Sequence, residues 1–137
     1  MKKNILLFIL LISFLLEFYL CISAFFNPES VMKLFRLPYN SNTALLAYFS
    51  AWFLLLISSI CVYLMWLVQT NRAGYYGMIN LLSLWWIGLG VAIFIMFKRT
   101  DNLLMDSLKG LLLLGANYLN GKMSVNGPVK QNNRSSL

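Results

Sequence analysis

ALLAYFSAWFLLLISSICVYLMWLV, from Ala44 to Val68, is 25 residues long and carries no charge. As a helix it measures about 37 Å, more than the roughly 30 Å of hydrocarbon in a bilayer. Hydrocarbon offers the backbone no hydrogen-bond partners, so a run of this kind crosses as an α-helix whose N–H and C=O groups pair internally. Working outward, Ile5 to Phe26 is a second such run, with Glu17 as its one charge, and Tyr75 to Phe97 is a third with none. A fourth, Leu103 to Leu119, has 17 residues and contains Asp106 and Lys109, which puts it at the short end of spanning lengths. If it does not cross, it lies on the membrane surface and leaves three crossings with the termini on opposite sides.

The whole chain of 137 residues is 60% hydrophobic and only 11% charged, outside the range of soluble domains and short enough for one compact unit. The expected fold is therefore all-α: an integral membrane up-and-down four-helix bundle over residues 1–119, with spans about 5–26, 44–68, 75–97 and 103–119. The links near 69–74 and 98–102 suit only turns between antiparallel helices. From Asn120 the chain reads NGKMSVNGPVKQNNRSSL, too polar to bury a core, and 120–137 is expected to be a flexible tail.

A cleaved signal peptide is the rival reading of the first run, since Lys2 and Lys3 precede it and Ser23 and Ala24 follow. The run is too long for that, and Glu17 falls where a signal core is apolar. A lipoprotein reading of Cys21 meets Leu20 where a small residue is needed. At about 1.5 Å per residue the two cysteines, Cys21 and Cys61, fall near opposite faces of the membrane, which argues against a disulfide and for small apolar packing residues. With no histidine in the chain and no metal-ligand spacing, neither a metal nor a cofactor is expected.

Four crossings put Lys2, Lys3, Arg72, Lys122, Lys130 and Arg134 on one side, against Lys33, Arg36, Lys98 and Arg99 on the other, partly offset by Glu29 and Asp101. The positive-inside rule then places both termini in the cytoplasm. The formal charge of +7 reads as a topology signal and an attraction to anionic lipid rather than to nucleic acid.

Between the first two spans, NPESVMKLFRLP carries helix start and stop signals. Asn27 suits the cap, Pro28 the first position, Glu29 the positive end of the dipole, and Pro38 the stop. Val31, Leu34 and Phe35 share a face, so residues 28–37 read as an interfacial helix, with an irregular loop as the alternative.

Glu17 is the residue most open to a functional role, because an ionisable group deep in a span is costly, faces other helices and takes a partner. Ser13, Glu17, Cys21 and Ala24 recur at helical spacing as a small, polar stripe. Glu17 lies roughly 13 Å from the far end of its helix and Lys109 roughly 9 to 12 Å from the same end of the fourth. Asp106, one turn before Lys109, shares its face. A Glu17, Asp106 and Lys109 cluster follows, as an ion pair fixing the first helix to the fourth, or as a site where Glu17 exchanges a proton or binds a cationic or hydroxylated ligand. A protonated Glu17 without an ionic partner is the third possibility.

Trp85 and Trp86 sit mid-span, away from the interfacial belts that tryptophan favours, so something specific is expected against at least one. With Tyr48 and Trp52, one helical turn apart, they form a candidate pocket for a hydrophobic, lipid-like or quinone-like ligand. Core packing or lipid-facing bulk is the plainer reading. Trp66 reads as an interfacial anchor. Ala44, Ala47 and Ala51, and Gly88 with Ala92, mark close helix approaches, and Asn80 and Asn117 fall where an interhelical amide bond is feasible.

The order of a Lys-tipped first span, a connector running Phe26, Asn27, Pro28, Glu29 through Leu34, Phe35, Arg36, Leu37, Pro38, and three closely spaced spans resembles the DoxX-like small four-helix bacterial membrane proteins. The likeness covers Ile5 to Leu119. In that group a glycine often precedes the last Leu and Pro, where this chain has Arg36. The resemblance implies the four-helix fold and a bacterial inner membrane more than an activity. Small multidrug transporters also have four short helices and a glutamate in the first, but they lack the connector helix and carry a small-residue and aromatic signature absent here.

No nucleophile and base, P-loop or dinucleotide fingerprint is present, so an enzyme is not expected. The expected function is a non-catalytic membrane protein, either an accessory subunit of a larger membrane complex or a lipid or small-ligand binding module. A small proton-coupled transporter using Glu17 is the alternative.

Overall fold

A computed structural model describes residues 2–34, 36–72 and 74–125. They form five helices: α1 (Lys2–Phe26), α2 (Pro28–Leu34), α3 (Ser41–Gln69), α4 (Tyr75–Phe97) and α5 (Thr100–Val125). No strand occurs among the described residues. Three helices, Lys3–Phe26, Thr43–Gln69 and Tyr75–Met96, are long and apolar enough to cross a membrane. Their outer faces leave Phe8, Leu81, Ile95 and Met96 more than 60% uncovered, an arrangement suited to hydrocarbon rather than water.

α1 packs against α3 and α5, and α5 packs along α4, whereas α3 and α4 barely touch. All four long helices feed a core of Leu6, Leu10, Ile57, Leu64, Ile79, Trp86 and Leu113. Ala24, Val31, Met32, Ala47 and Ala51 form a smaller cluster beneath α2, where the alanines let α3 approach α1 closely.

Polar side chains tie the two ends of the protein. At one end, Lys3 donates to the Gln69 carbonyl and to Asn71 Oδ1, both at 3.0 Å, neutralising the negative end of α3. Asn117 donates to Asn80 Oδ1 at 2.7 Å and to the Tyr76 carbonyl at 3.0 Å, so α5 runs antiparallel to α4. At the other end, Arg99 donates through Nη1 to the Leu34 carbonyl at 3.1 Å.

α5 outruns the expected end at residue 119 by six residues. Tertiary contact sustains the extra turns: Asn120 donates to the Tyr75 hydroxyl at 3.0 Å, and Gly121 sits against the Tyr76 ring. The polar segment expected from residue 120 therefore begins as helix, and 126–137 lie outside the described residues.

The connector helix is shorter than the expected 28–37. Asn27 caps it, its Oδ1 accepting from Ser30 N at 3.2 Å, and Val31 and Met32 are its buried residues while Leu34 is exposed. Phe35 lies outside the described residues. The helix stops because Arg36 turns left-handed, with φ of 57°, and Leu37 N reaches back to the Met32 carbonyl, a Schellman-type closure. The left-handed region favours glycine and costs other residues roughly 1–2 kcal/mol, part of which glycine returns as unfolded-chain entropy. Arg36→Gly is therefore expected to stabilise the fold by up to about 1 kcal/mol in detergent unfolding, and a loss of stability would contradict this account of the turn. Asn40 and Thr43 cap α3 reciprocally: Thr43 N donates to Asn40 Oδ1 at 3.0 Å and Asn40 N to Thr43 Oγ1 at 2.8 Å, the logic of a capping box.

Candidate functional site

Ser13, Glu17, Cys21 and Ala24 are each 5% exposed or less, so the small and polar stripe of α1 faces its neighbouring helices. Within that stripe, Glu17 Oε1 accepts from Lys109 Nζ of α5 at 2.5 Å. Lys109 also stands 3.2 Å from Asp106 Oδ1, one turn earlier on the same helix. The side chains of Glu17, Asp106 and Lys109 are 7%, 16% and 16% exposed, and a charged network so far from water persists only through its internal pairing.

Trp86 completes the surroundings of the lysine. Its ring is 1% exposed, and Lys109 Nζ lies 4.7 Å from its centroid, within cation–π range. α1, α4 and α5 thus meet at one ammonium. The mid-span position of Trp86 pointed to a specific partner, but nothing in the spacing identified Lys109 as that partner.

A cavity of about 290 Å³ opens beside the cluster, lined by Leu16, Glu17, Leu20, Leu34, Arg99, Asp101, Met105, Asp106 and Lys109. Its walls are apolar and its charges are grouped, a combination typical of small-ligand sites. Leu16, Leu34 and Met105 are themselves exposed, which connects the cavity to the surroundings of the protein. Arg99 grips Asp101 with a fork, through Nε to Oδ1 at 3.1 Å and through Nη2 to Oδ2, and this bonding raises its already high pKa, keeping it cationic. Sequence reasoning gave Arg99 and Asp101 only a topological role. They join the site because the two-residue link between α4 and α5 returns the chain beside the end of α2.

The other candidate pocket, Tyr48, Trp52, Trp85 and Trp86, is not brought together. Trp85 and Trp86 are consecutive, so they project about 100° apart. Trp86 turns inward to Lys109, while Trp85 is 44% exposed and packs on Phe53 with centroids 5.6 Å apart. Tyr48 and Trp52 are both exposed, and Trp52 meets Phe25 edge-on. Trp85 instead lines an apolar cleft of about 550 Å³ between α3 and α4, with Phe53, Ile57, Ile60 and Leu82. Trp66 has Tyr63 stacked on it and the Arg72 guanidinium 5.8 Å from its ring centroid.

The close approach of α4 to α5 is made by residues other than the Gly88 and Ala92 pair, both of which are exposed. Gly90 and Gly110 serve there. A Cβ on Gly110 would lie 2.5 Å from the Ser83 carbonyl oxygen, and one on Gly90 would lie 2.7 Å from Ser107 Oγ. These glycines set the depth at which Lys109 reaches Glu17.

No group of His, Cys, Asp and Glu suited to a metal ion occurs among the described residues. Compared with protein-family models, curated proteins and solved structures, the chain matches none of them.

Proposed function

We propose that this protein is a non-catalytic, four-crossing membrane module that binds a small lipid-like ligand beside the Glu17, Asp106 and Lys109 cluster. The supporting observation is the union of a buried ion network with an apolar-walled cavity of about 290 Å³. α5, at 26 residues, is the fourth crossing in this reading. Its intramembrane Lys109 pairs with Glu17 and with its own Asp106, and its antiparallel pairing with α4 returns the chain to the side of Lys3, making an up-and-down four-helix bundle. Both termini are then cytoplasmic, and the likeness to DoxX-like proteins fits a bacterial inner membrane.

Filling the cavity tests the reading. Leu20→Trp, which projects bulk into the site, is expected to abolish saturable retention of a small amphiphile by the protein in zwitterionic nanodiscs. Leu15→Trp, on the exposed face of the same helix, should leave it intact. Equal retention by both variants and the parent would remove the cavity from consideration.

A second reading, proton-coupled transport, draws on the burial of Glu17 in mid-helix. Liposomes enclosing a pH-sensitive dye would then report proton movement that Glu17→Gln abolishes. The accessory-subunit reading predicts instead that a membrane complex survives gentle solubilisation together with this chain.

A further inference from the structure

The buried cluster is unbalanced, with two carboxylates facing one ammonium. An ammonium has three donors and no acceptor. Lys109 Nζ donates to Glu17 Oε1, stands 3.2 Å from Asp106 Oδ1 and lies 4.7 Å from the Trp86 ring centroid, so its head is already surrounded on three sides. The carboxylates are in the opposite condition. Glu17 Oε2 and Asp106 Oδ2 have no hydrogen-bond partner among the described residues, and both residues line the cavity. Glu17 as a whole is 5% exposed. Arg99, on the same wall, gives Nε and Nη2 to Asp101 and Nη1 to the Leu34 carbonyl.

We propose that the cavity takes an amphiphilic monocation whose ammonium-type head donates to Glu17 Oε2 and Asp106 Oδ2 and whose aliphatic portion lies on Leu16, Leu20 and Met105. The proposal rests on the ligand-binding reading above and gives that ligand its charge. A single positive head brings two carboxylates and one lysine to neutrality, which a low-dielectric site strongly favours. It also supplies donors to the two vacant carboxylate oxygens, and charge-assisted bonds of this kind are among the strongest available. An anionic head would add to the negative excess of the buried cluster. A neutral alcohol offers one donor and leaves the charge uncompensated.

Three probes with the same tail separate these cases: dodecylammonium, dodecanol and dodecyl phosphate, each titrated onto the full chain in zwitterionic nanodiscs, with empty nanodiscs giving the partition background. Dodecylammonium is expected to bind saturably at one site per chain, with affinity about tenfold or more above the other two. Asp106→Asn and Glu17→Gln should each reduce that affinity by about tenfold, and Leu20→Trp should remove it. Asp106→Asn is isosteric and at a partly exposed position, so it carries the test if Glu17→Gln fails to fold. If dodecyl phosphate or dodecanol binds as well as the amine and Leu20→Trp abolishes this, the cavity is a ligand site and the charge inference is overturned. Equal amine binding by parent and Asp106→Asn overturns it too. If no probe binds above the partition background, the ligand-binding reading itself falls.

Discussion

Lys109→Met is expected to destabilise the folded protein by about 3 kcal/mol or more in detergent unfolding, the cost typical of removing one partner from a buried ion pair. The loss has three parts: Glu17 forfeits its 2.5 Å partner, Asp106 its 3.2 Å partner, and the Trp86 face its cation. Two carboxylates then sit together in a low-dielectric site, and at least one must take up a proton or draw in water. Replacing Glu17 by Leu as well removes the deeper carboxylate, so the double variant is expected to recover most of the loss, since apolar replacement of a whole buried pair is often neutral or better. The two positions are in direct contact, and their effects should be strongly non-additive. A double variant as unstable as the sum of the two singles would show that the pair does not hold α1 to α5.

The second large effect is expected at Gly110. Its position on α5 leaves no room for even one carbon: a Cβ would stand 2.5 Å from the Ser83 carbonyl oxygen and 3.1 Å from the Ile87 backbone nitrogen. Both are backbone atoms of α4, which cannot turn aside as a side chain would. Gly110→Leu should therefore push α5 off α4, at about 2–3 kcal/mol or more by analogy with overpacked cores. The displacement should also loosen the neighbouring Lys109 from Glu17, so the variant is expected to lose amphiphile retention along with stability. Gly88→Leu is the matched control. A Cβ there meets nothing within 4 Å, and it should unfold like the parent.

These two glycines illustrate what was legible in the sequence and what was not. That α1, α3 and α4 are long and apolar enough to cross a membrane follows from run length and scarcity of charge, which need no knowledge of neighbours. Glu17 and Lys109 follow from depth, because counting residues from a helix end fixes height in a membrane. Rotation about the helix axis is harder to read. In water an apolar stripe marks the inner face, but lipid makes the outer face apolar as well, and only polar or small residues retain directional information. Ser13, Cys21 and Ala24 carried it for α1. On α4, Gly88 with Ala92 and Gly90 offer nearly equivalent small positions on different faces, so spacing alone favoured the wrong one. Trp85 and Trp86 posed the same ambiguity between adjacent residues. The end of α5 was missed for another reason: Asn120 and Gly121 look like helix breakers until Tyr75 and Tyr76 are known to stand beside them.

The pairing order bears on how such a chain is made. α1 and α3 associate closely, α4 and α5 associate closely, and α1 meets α5 along a seam holding the ionic cluster. A ribosome working from the N-terminus delivers Glu17 to the membrane more than ninety residues of sequence before its counter-ion. Throughout that interval the nascent first helix has to shelter its acid in some other way, by a proton, by the insertion machinery or by shallow placement. Translation products ending before residue 109 lack the ammonium that pairs with this acid in the finished chain.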